Sequence, residues 1–166
     1  MIYLTPLIII ISTYIGFYLS NKLKQRTALL ESCITMVNKI SVLIEFDNIK
    51  TISLFSKLME YSCLDKLDFI DKCNFNLKNN CNFKEAYLTA IQQSNCNLLK
   101  EDFDILKDIA DILGNMDSIE AINNLKLLSI SLQDNLNNAK SKYSTNQKLY
   151  KSLGFLCGLA ICILII

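Results

Sequence analysis

Apolar residues form an unbroken run at each end of the chain and helical stripes between them. Residues 2–19 include no charged side chain over eighteen positions. A helix of that length, at 1.5 Å per residue, reaches about 27 Å, close to the hydrocarbon thickness of a bilayer. Pro6 falls in the first turn, where a missing N–H costs least. No Lys or Arg precedes this run and no A-x-A site follows it, so it is expected as a retained anchor rather than a cleaved signal peptide. Residues 153–166 give only fourteen positions, about 21 Å. They cross a bilayer if the helix starts near Leu149 with Lys151 snorkelling to the interface, and otherwise form a re-entrant or interfacial segment.

Between the two runs there is no proline, and Gly114 is the only glycine, so helix is the default expectation. Leu23, Leu30, Val37 and Ile44 recur every seven residues, with Cys33 and Ile40 filling in, which predicts a helix leaving the first run and ending near Asp47. Ile122, Leu125, Ser129, Leu132, Leu136, Ala139, Tyr143, Asn146, Tyr150 and Leu153 form a second such stripe leading into the C-terminal run. The two long helices are expected to pair antiparallel. Ser129 and Asn146 either mark register or are polar residues tolerated at the edge. Shorter helices are predicted around Ile52, Phe55, Leu58 and Met59, around Leu67, Phe69 and Ile70, and around Phe83, Ala86, Tyr87, Ala90 and Ile91. The asparagine-rich residues 73–82 are expected as the main loop. Leu99, Phe103, Leu106, Ala110 and Leu113 predict a further helix capped by Gly114, with a restart at Asp117 before Ser118. The expected fold is all-α, an antiparallel bundle of about six helices (residues 21–150) between two transmembrane helices (1–20 and 151–166).

Composition sharpens this picture through its distribution. The chain is 51% hydrophobic with mean hydropathy +0.28, yet 20% charged, and every charge lies between Lys22 and Lys151. Lys22, Lys24 and Arg26 follow the first run; Lys140, Lys142, Lys148 and Lys151 precede the second. Both sets predict a cytoplasmic middle and extracytoplasmic termini. Residues 60–120 carry twelve acidic and six basic side chains, net −6, against +3 for residues 22–59 and +4 for 121–151. The end near lipid is basic and the far end acidic. The chain has no histidine, which excludes a Ser-His-Asp triad, a Cys-His pair and a histidine-bearing zinc site. A net charge of +1 gives no field for nucleic acid. There is no Gly-rich phosphate loop and no G-x-S-x-G, so no enzyme, cofactor or metal is expected.

Three sets of side chains stand out. Ser12, Gly16 and Ser20 in the first run, and Gly154, Gly158 and Cys162 in the second, repeat at four-residue spacing, as close-packed membrane helices use; small residues are also common there without any such contact. Glu101, Asp104, Asp108 and Asp111 place four carboxylates on one helical face, away from Phe103 and Leu106. This ridge suits a basic partner or is simply a solvated face, while one helical face rarely supplies the six or more oxygens a hard cation needs. The seven cysteines include no C-x-x-C pair, so free thiols are expected, with Cys73 and Cys81 the most reactive.

The run KSLGFLCGL, with Lys151, Ser152, Leu153, Gly154, Phe155, Leu156 and Gly158, resembles the stage III sporulation protein AB family. The LG-x-x-D element at Leu113, Gly114 and Asp117 is the second match. Ala121 departs from the pattern, standing where the family often has glutamine. The resemblance implies a non-enzymatic component of the channel joining mother cell and forespore in sporulating bacteria. It further implies a cytoplasmic bundle like the platform protein of type II secretion systems, docked on a secretion-type ATPase, stage III sporulation protein AA. Other partners would be the channel's membrane subunits and the lipid bilayer, with a homo-oligomer compatible with the layout. The site would be the membrane around the forespore, on the mother-cell side. A membrane-tethered helical regulator or adaptor unrelated to transport is the alternative.

Overall fold

The computed structural model describes residues 4–47, 51–79, 82–115 and 117–165, with side chains described for 9–46, 53–79, 82–114, 117–161 and 163. Among these residues the chain is all-helical and has no strand. Its elements are α1 (Leu4–Asp47), α2 (Thr51–Leu58), α3 (Asp68–Lys78), α4 (Phe83–Gln92), α5 (Lys100–Asn115) and α6 (Ser118–Ile165), with a 3₁₀ turn at Ser62–Leu64. α1 ends at Asp47 and α6 starts after Asp117, as the stripes and the restart signal predict. The chain packs as two compact units, residues 28–136 and residues 1–27 with 137–166.

In the first unit, α2 packs on α3, α3 on α4 and α4 on α5. The predicted stripe residues Leu30, Cys33, Val37 and Ile40 are fully buried on α1, joined by Leu29, Met36 and Leu43. Burying side chains of this size contributes roughly 1.5–3 kcal/mol each. α6 adds Leu125, Leu132 and Leu136. Asn38 on α1 accepts a hydrogen bond from the Ser129 hydroxyl of α6 at 3.0 Å, so the polar member of the α6 stripe meets α1 at the edge of the core. Four aromatic rings fill the space between the short helices: Tyr87 lies 5.6 Å from Phe55, 5.9 Å from Phe83 and 6.2 Å, edge-on, from Phe69. Tyr87 is wholly buried, and its hydroxyl donates to the Leu106 carbonyl at 3.0 Å. Burial pushes its ionisation well above the ordinary phenol range.

Asp68, the first residue of α3, ties down the connection between α4 and α5. Its carboxylate accepts hydrogen bonds from Ser94 Oγ at 2.6 Å, the Asn95 N–H at 3.0 Å, Cys96 Sγ at 3.1 Å and Lys72 Nζ at 2.6 Å. Burial alone would raise its pKa; these four donors outweigh it and hold the carboxyl well below the usual range.

Several expectations are corrected. Residues 73–82 are not one loop: α3 runs through them to Lys78, with Cys73 and Leu77 turned inward, because the apolar spacing continues beneath the asparagines. Cys73 is therefore not reactive; burial raises its thiol pKa to about 12. Cys81 lies outside the described residues. Gly114 sits inside the last turn of α5 rather than beyond its end. Met59 falls after α2 and is exposed, and Leu153 is exposed rather than part of the α6 core stripe.

Candidate partner-binding face and helix contact

α5 carries the acidic ridge. Its start is fixed by Asp102, whose carboxylate accepts the Leu99 N–H at 2.9 Å and so satisfies a donor that the helix's own ladder leaves open. Asn135 Nδ2 on α6 donates to the same side chain at 2.9 Å, and Asp102 is fully buried. This anchored helix then buries Leu106, Ile109, Ala110 and Ile112. The opposite face presents Glu101, Asp104, Asp108 and Asp111, all exposed. Lys107 pairs with Asp104 at 2.8 Å, which lowers that carboxyl's pKa through the hydrogen bond it donates. Lys84 on α4 pairs with Asp111. The ridge is thus a row of solvated carboxylates that two lysines partly balance. Exposed pairs of this kind contribute little to stability, so their carboxylates remain open to exchange for a partner's cations.

The four-carboxylate periodicity does not include Asp102, whose burial and Asn135 contact emerge only in the structure. The signal was the spacing, since Asp102 precedes buried Leu106 and Ile109 by four and seven positions, on the core side of the helix.

In the unit of residues 1–27 and 137–166, the small residues of the two helical segments meet. Ser12 Oγ donates to the Gly154 carbonyl. A Cβ on Gly158 would sit 3.0 Å from the Cα of Ile9, and one on Gly16 would collide with the Tyr150 carbonyl. Ser12, Gly16, Gly154 and Gly158 are therefore brought together in a backbone-to-backbone contact, and Ser20 is buried in the same unit. The side chain of Cys162 lies outside the described residues. One described helical stretch, Ile9–Phe46 of α1, is long and apolar enough to cross a membrane. The C-terminal run ends partly outside the residues whose side chains are described. Among the described residues no cluster of three or more His, Cys, Asp or Glu side chains has the arrangement of a metal site.

Of the motif residues, Leu113 is half-buried, while Gly114 and Asp117 are exposed at the junction of α5 and α6. Ser152, Leu153, Phe155 and Leu156 are exposed on α6; Lys151 is half-buried, its Nζ 4.9 Å from the centre of the Phe17 ring. Ala121 is buried one turn into α6.

These features define an all-helical protein with a long apolar helix near its N-terminus. The chain belongs to the stage III sporulation protein AB family, whose model matches residues 2–166. It is similar to stage III sporulation protein AB of Bacillus subtilis (strain 168), with 34% identity over 68 residues, 41% of this chain. The matched stretch spans 40% of that relative's length. The family is one of sporulation proteins and not a known enzyme family. No solved structure matches the chain.

Proposed function

We propose that this protein is a membrane-anchored platform of the channel between mother cell and forespore, and that its helical middle docks a cytoplasmic secretion-type ATPase, stage III sporulation protein AA. The observation that carries this reading is that the family match runs the length of a chain whose two longest helices each continue from the packed middle into an apolar end. Residues 1–20 and 151–166 are then the membrane segments, both termini are extracytoplasmic, and residues 21–150 face the mother-cell cytoplasm as an antiparallel bundle. The cation flanks at Lys22, Lys24 and Arg26 and at Lys140 to Lys151 favour that orientation. With the basic end at the lipid, the ATPase meets the acidic far end, where Glu101, Asp104, Asp108 and Asp111 face solvent. The protein itself performs no catalysis in this reading. α1 and α6 pass rearrangements of the ATPase to neighbouring membrane subunits.

Deletion of the gene in its native host tests the role. The expected result is normal vegetative growth, loss of heat-resistant spores, and forespores that arrest or collapse after engulfment. Full sporulation of the deletion strain contradicts the reading and favours the tethered regulator.

A further inference from the structure

The unit of residues 1–27 and 137–166 contains seven cations, Lys22, Lys24, Arg26, Lys140, Lys142, Lys148 and Lys151, and no Asp or Glu. Between its helical segments opens a groove of about 350 Å³, lined by Tyr14, Tyr18, Asn21, Lys24, Tyr143 and Lys151. That volume falls at the small end of the range, about 300–1,000 Å³, that holds small organic ligands. With Ser20 and Phe17, which also line it, the groove offers two ammonium groups, three phenol hydroxyls, a serine hydroxyl, an amide and one apolar ring, with no carboxylate. Such a set is rich in donors and cationic, which is the chemistry that receives a phosphate ester. The Lys151 ammonium is held over the Phe17 ring within the groove.

Location narrows the ligand. The charge-free run of α1 stops at Lys22 and that of α6 begins after Lys151, so the groove straddles the boundary between charged and apolar helix on α1, from Tyr14 to Lys24, and reaches it at Lys151 on α6. Tyr14 and Tyr18 expose their rings on the apolar side, at 71% and 56%, as tyrosines at the headgroup level of a bilayer do. A soluble phosphate would satisfy the lysines and leave these rings without apolar company. A phospholipid satisfies both, with its phosphate in the groove and its acyl chains along the apolar helix faces.

We propose that this groove binds the phosphate of an anionic phospholipid headgroup, with Lys24 and Lys151 as its charge partners and the tyrosine hydroxyls as further donors. The proposal rests on the membrane-anchored reading above, and its test separates the two. The full chain is reconstituted in phosphatidylcholine vesicles containing a minor fraction of spin-labelled phosphatidylglycerol. Flotation is read first, and a chain that fails to float overturns the membrane reading and this proposal with it. For a floating chain, the immobilised fraction of labelled lipid reports the groove. The Lys24→Gln/Lys151→Gln double variant is expected to lower the preference for phosphatidylglycerol about tenfold, whereas Lys142→Gln/Lys148→Gln, the same change of charge outside the groove, leaves it largely intact. Tyr143→Phe, which removes one hydroxyl and keeps the ring, is expected to weaken the preference severalfold and serves if the double variant fails to fold. Equal loss in both double variants would assign the effect to diffuse charge and overturn the site. Displacement of the labelled lipid by millimolar inorganic phosphate would make the groove a site for a soluble anion, which also overturns it.

Discussion

Gly154 and Gly16 approach so closely that a Cβ on Gly154 would lie 3.2 Å from the Gly16 Cα, and 2.9 Å from the Ser12 carbonyl oxygen. The obstructing atoms are backbone, which cannot rotate away. Gly154→Ala is therefore expected to destabilise the contact by about 1–3 kcal/mol, the usual cost of overpacking. Gly114 offers the internal control: an added Cβ there meets nothing within 4 Å, and helical alanine is favoured over glycine by about 0.8–1.0 kcal/mol. Thermal unfolding of the full chain in nanodiscs should fall for Gly154→Ala and hold or rise for Gly114→Ala. A Gly154→Ala protein as stable as wild type would make the contact incidental.

Asp102 joins the N-terminus of α5 to Asn135 of α6 from a fully buried position. Removing the carboxylate in Asp102→Ala strands the Leu99 N–H and the Asn135 amide together. Both donors are only part-buried and water recovers some of the loss, so the expected cost is about 1 kcal/mol. Asp102→Asn keeps one acceptor oxygen and should cost less. Denaturant midpoints of the three proteins measure the order.

The depressed pKa of Asp68 makes part of the stability depend on pH. The native carboxyl titrates below its unfolded value of about 3.9, so the unfolded state binds the proton first. Its contribution is fully present above that value and is lost as the pH falls below it toward the native pKa. Asp68→Asn should accordingly unfold at a lower temperature than wild type near neutrality, and the gap should narrow as acid is added below about pH 4. A gap independent of pH would show that the four donors do not recognise the charge.

Thiol reactivity distinguishes burial in protein from burial in lipid. Cys63 and Cys157 are both exposed in the structure, and Cys33 and Cys73 are buried in the core. In nanodiscs, where both faces are open, a membrane-impermeant maleimide should label Cys63 rapidly and spare Cys157, which lies in the apolar run of α6. Denaturant should release all of them. Labelling of Cys157 as fast as Cys63 would mean that this run does not enter the bilayer.

The long elements were legible because their signals are repetitive. Over α1 and α6 the three- and four-residue spacing of Leu30, Cys33, Val37 and Ile40, and of Leu125, Leu132 and Leu136, persists long enough to outvote single exceptions. At residues 73–78 the two signals conflict: the asparagine content points to a loop, while the inward spacing of Cys73 and Leu77 belongs to the helix that forms. Asn74 is buried with its amide donating to Met59 Sδ at 2.9 Å, and Asn76 donates to the Ala86 carbonyl at 3.3 Å. Asparagines satisfied by tertiary contacts do not break a helix as solvated ones do. The acidic ridge was visible as a periodicity, but its partial neutralisation by Lys84 was not, since that pair joins residues 27 positions apart. The groove beside Lys24 and Lys151 was equally hidden. It exists only where two helical segments from opposite ends of the chain meet.

Docking of the ATPase on the ridge is the claim on which the functional account turns, and a direct titration addresses it. The full chain in nanodiscs is titrated with purified stage III sporulation protein AA, for wild type and for Asp104→Lys/Asp108→Lys, with circular dichroism confirming equal helicity. The account predicts saturable binding to wild type that weakens with added salt and is abolished by the charge reversal. Equal affinity for the two proteins, at equal helicity, would remove the ridge from the interface and contradict the account.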